Sequence, residues 1–373
     1  MTTKKYLISG GIWTLALALG VILWGYAGPC LAGEPSPLAQ IIEGAKKEGA
    51  VSATLKSSFT PRSMERLKKE IRDKFGVNLD ITFAPSSSFP KDFAQALMEQ
   101  KAGAPVSYDL MTFNAKFGLE GFKNGIFEKI DWRPLLVKGT PQEVMLGTPP
   151  QMKDLYGIGV TYYTSHKGIL YNPEKIPPAN VPKALSELAD PKWKGKLGIA
   201  NYTSNWTEMA YIRGKEKTFA DLRAIMKNKA IQGRYVDLMN RYLLGEIIIQ
   251  YSISGWLKEI KDKGMPVAWQ SLEFSDVSQY QVMVRKGARH PNAAKLLALY
   301  LVSPEGAKFT LEEGAAGNLY YSGNFEHDIK LQDEKQGYKT VLKEAWPELM
   351  NFMDSKESDK WEKEIDLIFK TGR

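Results

Sequence analysis

From Val51 to Phe127 the chain alternates short β-branched segments with amphipathic ones, and this alternation constrains the fold more than any other feature. Val51 to Leu55 has strand periodicity and runs into the polar pair Ser57-Ser58. Thr60 then offers a helix cap with Pro61 at the first helical position. Met64, Leu67, Ile71 and Phe75 recur every three or four residues, and Gly76 supplies a stop. Leu79 to Phe83 is a second strand, which passes through Pro85-Ser86-Ser87-Ser88 into a helix carrying Phe93, Leu97 and Met98. A third strand, Asp109 to Phe113, leads through Asn114 into a helix from Phe117 to Phe127. Strands that alternate with helices predict an α/β fold whose sheet is mostly parallel.

The middle of the chain changes character. Gly139-Thr140-Pro141 and Thr148-Pro149-Pro150 are loops, and Leu155 to Leu170 is rich in β-branched and aromatic residues. A second α/β set follows: a strand at Leu197 to Ala200 feeds Asn201 to Trp206, and another at Ile247 to Tyr251 feeds Ser252 to Trp256. Ligands of open α/β sheets sit outside the carboxyl ends of the strands. In the first set those ends carry Ser57, Ser58, Ser87 and Asn114. Each of them singly is an ordinary cap or turn residue; three such ends together are a stronger signal.

Of the 373 residues, 43% are apolar and 25% charged, a soluble globular composition long enough for about two domains. The start departs from that average. Lys4 and Lys5 precede an uncharged, largely apolar run that ends in Cys30-Leu31-Ala32, the pattern of a secretory signal peptide over residues 1–32. Two alternatives are an uncleaved anchor, since about 20 apolar helical residues span a bilayer, and a lipid-modified Cys30, which Pro29 fits poorly. Cleavage after Ala32 would remove the single cysteine, and with it disulfide, zinc-thiolate and cysteine-nucleophile chemistry. The net charge of +8 is spread along the chain. The densest basic run, Arg62 to Lys74, is the solvated face of one helix, so no nucleic-acid surface is indicated.

Several segments in fixed order resemble the type II branch of extracytoplasmic solute-binding proteins of bacterial ABC importers. They are Ala45 to Ser52, Leu170 to Pro177 (Leu-Tyr-Asn-Pro-Glu-Lys-Ile-Pro), Leu185 to Lys196 with Asp190-Pro191-Lys192-Trp193-Lys194-Gly195, and His290-Pro291-Asn292-Ala293-Ala294-Lys295 through Ser303-Pro304-Glu305-Gly306. The resemblance implies a two-lobed clamshell, each lobe a mixed, mostly parallel sheet flanked by helices. Lobe one would comprise 33–157 plus 277–373 and lobe two 158–276, with hinge crossings near 157–159 and 275–280. It further implies a monomeric periplasmic protein that captures a small solute, needs no cofactor, and hands the solute to a permease and its ATPase in the inner membrane.

Position in that family places two second-lobe loops at the ligand, Tyr202-Thr203-Ser204-Asn205-Trp206 and Tyr251-Ser252-Ile253-Ser254-Gly255-Trp256. The candidate contacts there are Tyr202, Thr203, Trp206, Tyr251, Ser252 and Ser254, with Tyr162 from the middle strand. Because Tyr162 and Tyr163 are consecutive in a strand, at most one reaches the cleft. Core packing explains Trp206 and Trp256 equally well. Hydroxyls at helix N-termini suit a carboxylate or another oxyanion. Ferric-ion members of the family carry adjacent tyrosines where this chain has Ser252-Ile253-Ser254-Gly255, which argues against a bare ferric ion and leaves a ferric-ion or iron-chelate binder as the first alternative. The three histidines, His166, His290 and His327, have no metal-ligand spacing, and His290 before Pro291 suggests a helix cap. The remaining class is a secreted enzyme on the same fold, but the chain has no G-x-S-x-G elbow and no phosphate-binding loop.

Overall fold

The computed structural model describes residues 35–86 and 88–372, so the expected signal segment and Ser87 lie outside the described residues. The strands are β1 (Ala50–Lys56), β2 (Asp80–Ser86), β3 (Leu110–Phe113), β4 (Val160–Tyr171), β5 (Leu197–Ala200), β6 (Ile231–Gly233), β7 (Ile249–Ile253), β8 (Ala268–Gln270), β9 (Ser275–Val284) and β10 (Thr340–Leu342). They form one sheet in the order β2-β1-β3-β9-β4-β7-β5-β6, with β10 beside β9 and β8 beside β4. Pairing is parallel within β2-β1-β3 and within β7-β5-β6. It is antiparallel where β9 meets β3 and β4, and where β4 meets β7. Two parallel sets are thus joined through a pair of long antiparallel strands.

Local chemistry explains the elements of the first set. Thr60 and Ser63 form a reciprocal capping box at the start of the helix Pro61–Phe75, and Gly76 closes it in the left-handed conformation at φ 65°. Met64, Leu67 and Ile71 are buried in the apolar core that also holds Val51, Leu55 and Ile81, the stripe that their spacing predicted. All twelve residues of β4 are buried, so this strand has no solvent face. Its first half pairs with β9 and its second half with β7 and β8. The chain therefore passes from one set to the other inside β4 and returns inside β9, rather than in the loop at 157–159. Gly159 there answers to close packing: a Cβ would sit 2.8 Å from the carbonyl oxygen of Val282.

The four apolar clusters follow the two sets, with one correction to the expected organisation. The helices Pro291–Leu301 and Pro304–Gly314 pack on the first set. The later segments do not. Phe325 and Ile329 join Leu238, Tyr242 and Trp269, while Ile365, Ile368 and Phe369 of the terminal helix Lys356–Thr371 join Trp206, Phe219 and Tyr251. The cause is an apolar stripe, Trp361, Ile365, Ile368 and Phe369, whose partner surface lies on the second set; periodicity shows that such a stripe exists but not where it docks. His290 also differs from expectation. It occupies the cap position but caps with no side-chain bond, and its Nδ1 instead lies 3.0 Å from Asp109 Oδ2.

Docking of the terminal helix sets a stability test. Ile365 is fully buried, so Ile365→Ala is expected to cost about 2–5 kcal/mol in urea unfolding. A loss under about 1 kcal/mol would show that the helix adds little to the core of the second set.

Candidate functional site

The carboxyl ends of β1, β2 and β7 and the middle of β4 converge on a cavity of about 480 Å³, within the ordinary size of a small-molecule site. Its aromatic wall is a cross-strand pair. Tyr163 of β4 stands opposite Tyr280 of β9, and the rings stack at 4.3 Å and 8°. Phe89, which follows β2, lies 6.0 Å from Tyr280. Trp256, weighed as core or wall, also lines the cavity, and its indole Nε1 is buried without a partner among the described residues. Burial pushes the Tyr163 and Tyr280 hydroxyls up, so both remain protonated phenols at neutral pH.

A bulge decides which tyrosine faces the cavity. The β4-β9 register runs Thr161↔Gln281 and then Tyr163↔Tyr280, leaving Tyr162 as the extra residue. Tyr162 is fully buried behind the wall, its hydroxyl 3.1 Å from Thr112 Oγ1, so Tyr163 occupies the place expected of Tyr162.

Two charged side chains line the cavity. Lys56 ends β1, and its ammonium donates to Ser58 Oγ at 2.7 Å and lies 5.9 Å from the Tyr163 ring centroid. Among the described ion pairs none includes Lys56. Burial pushes its ammonium down to about 8, against the opposing field of Glu259. Glu259 lies on the helix Trp256–Asp262 of the second set, with Lys263, the residue that caps the end of that helix, 3.9 Å away.

The residues singled out from sequence divide accordingly. Ser57 and Ser58 line the cavity. Ser254 sits one hydrogen bond behind it: its Oγ accepts from the His166 backbone N–H at 2.8 Å, donates to Glu326, and lies 3.2 Å from Oγ of the cavity residue Ser165. The others are placed elsewhere. Asn114 caps the helix Ala115–Lys123 by accepting from Phe117 N–H. Tyr202 is 40% exposed and packs on Tyr235. Thr203 donates to Glu362 of the terminal helix at 3.0 Å. Trp206 is core, its indole N–H donating to Ala200 O at 2.7 Å, with Tyr251 packed 4.6 Å from it. Ser252 and Tyr251 are buried with hydroxyls unpartnered among the described residues.

Sequence reasoning missed Lys56, Phe89, Glu259 and Tyr280. Lys56 left a legible signal, a lone cation closing the apolar strand Val51 to Leu55 at its ligand end; the other three did not. Among the described residues no group of three or more His, Cys, Asp or Glu side chains could hold a metal ion. No described helix is long and apolar enough to cross a membrane.

This architecture, two parallel sets joined by antiparallel crossing strands around a cavity, is that of the type II periplasmic binding proteins. A Trichodesmium protein (IdiA, FutA) in complex with iron and citrate superposes with a TM-score of 0.61 at 18% identity, over 86% of this chain and 99% of that one. AfuA from Actinobacillus pleuropneumoniae with fructose-6-phosphate bound gives the same score, identity and coverage. Residues 67–318 match the family described as bacterial extracellular solute-binding protein, and the chain belongs to that family. A curated relative, the Fe(3+)-binding periplasmic protein of Serratia marcescens, is 29% identical over 83 residues, which are 21% of this chain and a quarter (25%) of that protein.

The Lys56 ammonium gives the site a pH dependence. An anion bound to it needs the protonated form, so affinity for a carboxylate, itself ionised throughout this range, is expected to be flat below pH 8 and to fall up to about tenfold per unit above it. Calorimetric titration from pH 6 to 10 measures this. An affinity that rises with pH would contradict it.

Proposed function

We propose that this protein is the periplasmic solute-binding component of an ABC importer. It takes one small organic compound bearing a carboxylate or another oxyanion into the cavity and presents it to an inner-membrane permease and its ATPase. The observation that carries the ligand class is Lys56, a partly buried ammonium on the cavity wall that is paired with a serine hydroxyl and with no carboxylate in the described structure. The Ser57 hydroxyl at the cavity can add a neutral hydrogen bond for the same group, whereas those of Ser58, Ser86 and Thr112 donate to Gly314 O, Asp92 and Thr54 O. Contacts made by the solute to both sets at once favour a closed arrangement, a population shift that the permease reads.

The fold does not choose the ligand, since the fold relatives hold iron with citrate in one case and a sugar phosphate in the other. Chemistry does. A bare ferric ion requires several anionic oxygens, whereas this cavity offers one carboxylate, Glu259, and two stacked phenols whose protons are held firmly. Nor does the buried Ser254, Glu326 and His166 cluster have the order of a nucleophile triad. Glu326 stands between the serine and the imidazole, so His166 Nδ1 meets the carboxylate and not the hydroxyl. Binding without turnover is the reading these residues support.

A thermal-shift panel tests it. Ligand at 100 times its dissociation constant adds about 2.7 kcal/mol, roughly a few degrees for a chain of this size. Carboxylates, phosphonates or phosphate esters are expected to raise the midpoint, and Lys56→Met to remove the shift. A response only to neutral sugars, polyamines or ferric citrate would contradict the proposal.

A further inference from the structure

The cavity carries two charges of opposite sign on opposite sets, Lys56 at the end of β1 and Glu259 on the helix after β7. A simple anion held at Lys56 would leave Glu259 facing it in a site partly screened from water, and like-charge juxtaposition there is unfavourable. An occupant with a positive group at its other end removes that penalty. The hydrogen-bond directions around Ser165 point the same way. Ser254 Oγ receives the His166 N–H and gives its own proton to Glu326, so its remaining lone pair is open to the Ser165 hydroxyl at 3.2 Å. Ser165 then donates inward and presents acceptor lone pairs to the cavity. Ser254 precedes the helix that carries Glu259, and the backbone N–H of Leu257 on that helix donates to Ser254 O, which ties the two acceptors to one side of the site. The ring of Trp256, on the same helix as Glu259, adds a surface that attracts a cation.

Resting on the oxyanion reading above and narrowing it, we infer that the solute is a zwitterion, with its oxyanion at Lys56 and an ammonium group at Glu259. The polarity is built into the fold, because each charge comes from a different parallel set. A compound with both groups spaced to span the cavity is the occupant that neutralises both walls.

Calorimetric titration with matched probes tests this: 4-aminobutyrate against butyrate and butylamine, and 3-aminopropylphosphonate against propylphosphonate. At least one zwitterion is expected to bind about tenfold or more tighter than its amine-free partner. Glu259→Gln is expected to cut that preference to about threefold or less, weakening the zwitterion and leaving the plain anion bound as tightly as before or tighter. Unliganded melting curves of the variant, together with Glu259→Asp as a charge-retaining control, separate loss of charge from loss of fold. Equal affinity for zwitterion and plain anion, unaltered by Glu259→Gln, would overturn the zwitterion and leave the oxyanion reading standing. Tight binding of butylamine that survives Lys56→Met would overturn both.

Discussion

The antiparallel pairing of β4 with β9 is the constraint on which the rest of the molecule depends. These two strands are the link between the parallel sets, and their register places Tyr163 against Tyr280 at the centre of the wall. Beside that stack the pair is pinned by buried charge: Lys167 of β4 lies 2.7 Å from Glu208 and 3.5 Å from Asp276 of β9, and Lys343 after β10 reaches the other oxygen of Glu208 at 2.7 Å. Breaking such a pair by removing one partner typically costs about 3–5 kcal/mol. A slip of one residue in this ladder would exchange Tyr163 for a neighbour at the cavity wall.

The site inherits its electrostatics from the same geometry. Because β1 and β7 run in opposite directions on the two halves of the sheet, their carboxyl ends approach each other over the middle of β4, and that brings Lys56 and the helix that carries Glu259 to one shared space. Burial lowers the ammonium to about 8, with Glu259 opposing the shift. The unliganded cavity therefore holds Lys56 short of full compensation. On the proposed reading an oxyanion supplies what Ser58 alone does not, and the phenols of Tyr163 and Tyr280 contribute area and hydrogen-bonding capacity rather than charge.

Much of the scaffold was legible from periodicity and end chemistry. The capping box at Thr60, the left-handed Gly76, and the strands at 51–55, 79–83, 109–113 and 197–200 follow from residue type and spacing alone. The cavity was legible only where a strand end could be recognised, as at Ser57 and Ser58. What stayed hidden depended on long-range contact. The bulge that exposes Tyr163 and buries Tyr162 arises from pairing with β9, a strand over a hundred residues away. Trp206 and Thr203 sit at a strand-to-helix turn as expected, but the terminal helix covers that turn, engaging Thr203 through Glu362 and packing Phe369 against Trp206. The destination of that helix could not be read from its own stripe.

The central claim is that the cavity holds a small oxyanion-bearing solute through Lys56. Native mass spectrometry of the protein purified from its own organism, without added ligand, tests it directly. The account predicts a single adduct of an organic compound with a carboxylate or another oxyanion, lost on gentle activation and missing from Lys56→Met. An adduct of ferric iron, or an organic adduct that Lys56→Met leaves in place, would contradict it.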